Sequence, residues 1–306
     1  MRRRNLVMLL ALAAIWGASF LFIKVAVREL SPATLIVGRL GLAALTLALL
    51  IPAAVGTRET LRQLRESWAW LTAVALINTA IPFWLLSWGE TRIDSGLASI
   101  IQASVPIFNA LIAFVAFHEV RVTGARLLGV GVGFVGVALL VGAQPEGKVL
   151  GALAVVGMAF CYGVGGLLTG RYLKPVQPIV VGFASTAVAT LVWLPVGAAQ
   201  APGDTPGWKT IGSVVALGIP GTALAYLLFF ALISGAGAAY TSLVTYLIPP
   251  IALAYGAIFL DERFGAAALG GLALILAGVA LGTGGVRLRR ERVASRRVAE
   301  ETRFRP

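Results

Sequence analysis

Apolar runs of roughly membrane-crossing length alternate along the chain with short breaks of charge, proline and glycine. A helix needs ~20 mostly apolar residues to cross ~30 Å of hydrocarbon. Ten runs approach that length: Leu6–Val27, Ala33–Val55, Trp68–Trp88, Gly96–Phe117, Ala125–Val141, Leu150–Gly170, Val176–Ala198, Thr210–Ile233, Ala238–Leu260 and Gly265–Gly284. The breaks carry charge or turn chemistry at Arg58–Glu66, Glu90–Asp94, Gln144–Lys148 and Pro202–Gly207. Ser234–Ala238 is a short uncharged turn. The first run follows Arg2–Arg4 in the manner of a secretion signal. It continues through Trp16 and Phe20 to Ile23, too long for a signal core, and is read as a span.

Composition sharpens this picture. Hydrophobic residues make up 58% and charged residues 12%, against ~45–50% and ~25% in a soluble domain. Mean hydropathy is +0.90. Too little polarity is left to cover a water-facing surface, which excludes soluble enzymes, nucleic-acid-binding modules and disordered chains. Cys161 and His118 are the lone cysteine and histidine. An internal disulfide and a His/Cys metal cluster are therefore ruled out, and no cofactor is expected.

Of the net charge of +12, the N-terminal arginines and the tail beyond Arg287 account for +8. The tail is read as a cytoplasmic retention signal, with the lipid bilayer rather than nucleic acid as partner. With a cytoplasmic N-terminus, the inner segments hold 18 Lys/Arg and the outer ones 6, counting Lys24 and Arg126 at span edges with the segments they adjoin and leaving Arg39 as the charge well inside a span. Both termini are expected inside the cell membrane.

The chain also repeats itself. A shift of 143 carries Asn78-Thr79-Ala80 to Gly221-Thr222-Ala223, Phe83 to Tyr226, Ser99 to Ser242, Pro106 to Pro249 and Glu119 to Glu262. A shift of 146 places Trp16-Gly17 on Tyr162-Gly163 and Pro32 on Pro178. Five spans per half is an odd number, so the second half must enter the membrane inverted. Inverted repeats are a common plan for secondary transporters, with substrate bound between the halves near the midplane. The fold class expected is all-α integral membrane, with ten transmembrane helices in two inverted five-helix repeats. The units are residues 6–142 and 149–285, followed by the basic tail 286–306.

Trp16-Gly17-Ala18-Ser19-Phe20, Pro32 with Arg39, and Gly96-Leu97-Ala98-Ser99 through Pro106 to Glu119 resemble an EamA domain. Gly221-Thr222-Ala223-Leu224-Ala225-Tyr226 and the stretch from Pro249 to Glu262 resemble its second copy. The chain thus resembles the EamA branch of the drug/metabolite transporter superfamily over roughly residues 6–285. That resemblance implies export or uptake of small organic metabolites without fixing the substrate. Ser185 stands where Arg39 maps in the second copy, so any role of that arginine is one-sided.

Candidate chemistry falls in three groups. Pro106, Pro249 and Pro250 lie inside spans, where proline removes an amide and frees the carbonyls of Gln102, Thr245 and Tyr246; kinking or gating is expected there. Asn78, Gln102, Asn109, Thr222 and Thr245 are polar residues within spans, with Tyr226, Tyr240 and Tyr246 near them. Interhelical hydrogen bonding explains any single one, but their clustering suggests a shared cavity walled by Trp16 and Tyr162. Trp84 and Trp88 read as interfacial belt residues.

Charge is the third group. Arg39 could snorkel to the interface, pair with Glu90 or Asp94, or meet an anionic substrate. Glu119 and Glu262, at span boundaries, are expected to face the N-terminus of the following helix. No span contains a central Asp or Glu, so no coupling ion is visible. Gly129-x-x-x-Gly133 and Gly278-x-x-x-Gly282 permit close helix contact, within a monomer or at a homodimer seam.

The expected function is a secondary transporter of a small molecule, working by alternating access as an exporter. A sugar-phosphate or nucleotide-sugar exchanger would want several cavity Lys/Arg, and only Arg39 qualifies. An intramembrane enzyme would need a nucleophile–base pair or an HExxH motif, which are lacking. A sensor would need a signalling domain, and only the tail is available.

Overall fold

The computed structural model describes residues 3–117, 124–144 and 148–281, and every regular element among them is helical. The first half comprises α1 (Arg3–Ala26), α2 (Pro32–Ala54), α3 (Thr57–Ala75), a π-helical turn (Leu76–Ala80), α4 (Ile81–Glu90), α5 (Ser95–Gln102), α6 (Val105–Phe117) and α7 (Gly124–Gly142). The second comprises α8 (Val149–Tyr172), α9 (Pro178–Ala199), α10 (Trp208–Gly218), a π-helical turn (Ile219–Leu224), α11 (Ala225–Ala236), α12 (Ala238–Thr241), α13 (Val244–Phe259) and α14 (Ala266–Leu281). Seven helical stretches among the described residues are long and apolar enough to cross a membrane, and Leu127–Gly142, Val244–Phe259 and Ala266–Leu281 are shorter apolar helices. This is a multi-pass membrane protein.

Local chemistry sets the boundaries. Ser31 caps α2, its Oγ accepting from Thr34 N at 3.1 Å, with Pro32 in the first turn. Gly237, at φ 85°, ends α11, a conformation that glycine adopts without a Cβ clash. The charged stretch Arg58–Glu66, expected as a break, is instead the start of α3. Its charges recur at helical spacing, with Arg62 pairing to Glu59 at 2.6 Å and to Glu66 at 3.5 Å. The span then runs without interruption from Thr57 to Glu90.

The span around Pro106 does not kink; it breaks. α5 ends at Gln102, Ala103–Ser104 form a turn, and Pro106 is the second residue of α6, where its missing N–H costs little. In the second half the break comes earlier, at Ser242–Leu243, leaving Pro249 and Pro250 inside α13.

Packing between the halves is reciprocal at the level of whole spans. α1 lies against α10, α11 and α13, and α8 lies against α4, α5 and α6, although α1 favours the first segment of its partner span and α8 the second segment of its own. A Cβ on Gly17 would stand 2.7 Å from Ile251, and one on Gly163 would stand 3.0 Å from Phe108. Those pairs exchange under the sequence shifts of 146 and 143. α2 and α9 pack on each other, Thr34 Oγ1 donating to Gly197 O at 2.9 Å. α7 and α14 touch backbone to backbone, since a Cβ on Gly278 would stand 2.6 Å from both Gly129 O and Gly133 N. Gly282, like Glu119 and the basic tail, lies outside the described residues.

Candidate functional site

The two π-helical turns occupy equivalent places in the halves, Leu76–Ala80 matching the start of Ile219–Leu224 under the shift of 143. Pro220 opens the second turn and cannot donate to the helical ladder. Thr222 Oγ1 takes up one of the displaced acceptors, donating to Leu217 O at 2.8 Å. In the first turn Trp193 Nε1 donates to Ala80 O at 2.9 Å. Such turns widen a helix and recur at functional sites.

Arg39 on α2 reaches into the second turn. Its Nε donates to Thr222 Oγ1 at 3.1 Å, and its guanidinium carbon lies 4.4 Å from the centre of the Phe83 ring. Tyr162, Tyr226 and Glu90 are within electrostatic range. The side chain is 7% exposed, so its head does not reach outward, and no ion pair joins it to Glu90 or Asp94. Arg62, by contrast, pairs with Glu59 and Glu66. The inward orientation follows from what α2 faces: an aromatic ring and a hydroxyl at hydrogen-bonding distance hold the cation where lipid would offer nothing. In the symmetric place, Ser185 is buried and the Thr79 hydroxyl has no partner among the described residues.

Other sequence candidates surround this centre unevenly. Asn78 packs on Gly165, and Asn109 on Gly163 and Gly166, so both amides meet the segment of α8 that carries Tyr162. The Tyr226 ring lies over Gly182. Trp16 packs on Phe229, with 5.4 Å between ring centres. Gln102, Thr245 and Tyr246 sit elsewhere, at the breaks in the α5–α6 and α12–α13 segments. Thr245 Oγ1 bonds locally to Ser242 O at 2.7 Å, and the Tyr246 ring packs on the main apolar core. Trp84 stacks between Trp88 and Trp193, with ring centres 5.9 and 5.5 Å away.

Contacts between the halves and between spans converge at one end of the bundle. Lys24 Nζ donates to Glu90 O at 2.7 Å and Ile93 O at 2.6 Å, tying α1 to the α4–α5 connection. The Glu262 carboxylate accepts from Ser95 N (2.7 Å), Ser95 Oγ (3.0 Å) and Gly96 N (3.0 Å). It therefore caps α5 in the other half rather than the helix that follows it, because Asp261 at φ 56° turns the chain back after α13. Glu90, expected in a break, is the last residue of α4 and is fully buried. Charge along the sequence marked Glu90 as a break residue and counted Lys24 with the outer cations, but it could not show that Lys24 binds the Glu90 and Ile93 carbonyls. Phe83 was visible only as an unremarked partner of Tyr226 in the repeat.

Comparison with known proteins agrees with this architecture. The model of the EamA-like transporter family matches residues 4–142 and again 149–283. A probable terminal-alkyne amino-acid exporter of Streptantibioticus cattleyicolor is 28% identical over 87% of this chain and 89% of its own. A probable amino-acid metabolite efflux pump of Escherichia coli is 25% identical over 95% and 98% of the two chains. An uncharacterized transporter of Archaeoglobus fulgidus is 27% identical over 86% and 93%. A protein of known crystal structure superposes with a TM-score of 0.64 at 19% identity, over 92% of this chain and 98% of that one, a likeness of fold. The chain belongs to the EamA-like transporter family.

Proposed function

We propose that the protein is a secondary transporter that exports a small zwitterionic, amino-acid-like metabolite across the cell membrane by alternating access. Ten transmembrane helices in two inverted five-helix repeats form the machine, and both termini face the cytoplasm. The packing of α1 on the helices of Trp208–Phe259 and of α8 on those of Ile81–Phe117 supports the inverted arrangement at the level of whole spans. So does the double match to the family model. The excess of Lys/Arg in the assigned inner segments supports the orientation.

A single observation carries the substrate class. Arg39, the one buried basic side chain among the described residues, lies where α2 of one half meets the π-helical turn of the other. Its Nε is engaged by Thr222, whereas the two terminal nitrogens make no hydrogen bond to a described residue. A guanidinium with its outer edge unoccupied suits a carboxylate, which it binds with two parallel hydrogen bonds. Phe83, Tyr162 and Tyr226 would flank the remainder of a modest solute. One cation is too few for a phosphorylated sugar or a nucleotide sugar. The names of the S. cattleyicolor and E. coli relatives point the same way.

Counterflow in proteoliposomes tests this proposal. Vesicles loaded with an unlabelled amino-acid panel should accumulate labelled member solutes, and Arg39→Met should abolish the uptake. Well-folded protein that exchanges phosphorylated sugars but no amino-acid-like solute would contradict it.

A further inference from the structure

The end tied by Lys24 and Glu262 holds two buried or half-buried carboxylates in opposite circumstances. Glu262 receives three donors and is in the right company for an anion. Glu90 is 0% exposed, and neither of its carboxylate oxygens has a hydrogen-bond partner among the described residues. It is also the last residue of α4, where the negative end of the helix dipole opposes an anion.

The charged groups around Glu90 are accounted for element by element. From α1 comes Lys24, whose ammonium is spent on the Glu90 and Ile93 carbonyls. From α2 comes Arg39, held by Thr222 and Phe83. Beyond α13 comes Glu262, a like charge. α8 meets α4 here through Gly151 and Val155 against Gly89, with Lys148 at its N-cap and Cys161 and Tyr162 farther along. The α4–α5 connection contributes Arg92, which donates to Trp88 O and Thr91 Oγ1 and lies over the Trp88 ring, and α5 contributes Asp94 at its N-cap. No basic nitrogen of a described residue comes within 4.0 Å of the Glu90 carboxylate. An ionised carboxylate with neither ion pair nor donor is strongly disfavoured in such a place, whereas a neutral carboxyl loses far less.

We propose that Glu90 is a proton-binding site whose occupancy is linked to closure of this end: it takes a proton from water as the Lys24 and Glu262 contacts form, and returns it when they part. The inference rests on the alternating-access proposal for its consequence, which is that acidity on this face favours the conformation open at the other end. An open conformation lets water reach the carboxyl, so that loss of the proton and opening favour one another.

Ser99 on α5 is fully buried at this end and supplies the reporter. Ser99→Cys is introduced with Cys161→Ala, and its rate of maleimide labelling is measured in the full-length protein from mildly acid to mildly alkaline pH. Each rate is divided by the rate in the same protein carrying Glu90→Gln, so the thiol's own titration cancels. The expected ratio is near one in acid and rises to about tenfold in alkali. Glu90→Asp should keep the pH dependence that Glu90→Gln removes. A flat ratio overturns the proposal. As a measurement independent of any variant at Glu90, infrared difference spectra of the protein with Glu90 intact should show a protonated carboxylic acid that is lost as this end opens, and absence of that band also overturns it. Neither measurement needs a substrate, so a lack of flux would count against the transport proposal while leaving this result to be read by itself.

Discussion

Arg39 shows how a charge can lie within an apolar helix. Its Nε has one hydroxyl partner, and its flat face covers Phe83. A hydrogen bond to a charged group contributes ~1.5–3 kcal/mol, and a desolvated cation–π contact about 2 kcal/mol. Thr222→Val should therefore destabilise the protein by about 2 kcal/mol in detergent unfolding. In a double-mutant cycle with Arg39→Met, the two substitutions should couple by at least about 1 kcal/mol. Strict additivity would mean that the contact contributes nothing. Arg39→Lys keeps the charge but lacks the planar fork that grips a carboxylate. It should raise the concentration for half-maximal counterflow about tenfold or more; an unchanged value would remove Arg39 from substrate recognition.

At the scale of the helix, glycines decide which pairs approach closely. At the α7–α14 crossing a new Cβ on Gly278 would meet backbone atoms of Gly129 and Gly133, which cannot rotate away as a side chain can. Overpacking of this kind costs ~1–3 kcal/mol. Gly278→Val should lower the thermal midpoint clearly, whereas Gly212→Ala on α10, with nothing within 4 Å, should leave it unchanged or slightly raised. Equal effects at the two positions would show that the crossing is not tight.

Helix existence was legible in the sequence because membrane spans must be long and apolar, and each expected run has a helix in it. Helix edges were less legible. Charge at Arg58–Glu66 looked like a loop, yet helical spacing lets those residues pair and continue α3. Pro106 looked like a kink, yet it falls where a new helix begins. The repeated triplets Asn78-Thr79-Ala80 and Gly221-Thr222-Ala223 marked the π-helical turns, but a turn with i→i+5 bonding has no hydropathy signature. The Arg39 site was only half visible for the same reason. Its residues could be named from polarity, whereas the contact to Thr222 depends on how a widened turn on another helix is placed.

For the whole molecule, the halves carry related sequences but differ in conformation. The segment Ser95–Ile101 is wholly buried, with Glu262 accepting from Ser95 N and Gly96 N, while its counterpart includes exposed Ser242 and Leu243. The helix breaks fall at Ala103–Ser104 in one half and at Ser242–Leu243 in the other, which are not equivalent under the shift of 143. Under the alternating-access proposal, such a difference between the halves corresponds to one end closed and the other looser, and exchanging the two states exchanges the ends. Ser99 and Ser242 are equivalent positions in that exchange, one buried and the other exposed.

The most direct measurement of alternating access is therefore paired labelling of Ser99→Cys and Ser242→Cys, each with Cys161→Ala. An impermeant thiol reagent is applied to intact cells and, separately, to inverted membrane vesicles, with and without a transported solute. Ser99→Cys should react only from outside the cell and Ser242→Cys only from the cytoplasmic face. Any condition that speeds one should slow the other by a similar factor. Rates that rise and fall together, or a Ser99→Cys protein that transports yet never reacts, would contradict alternating access in this molecule.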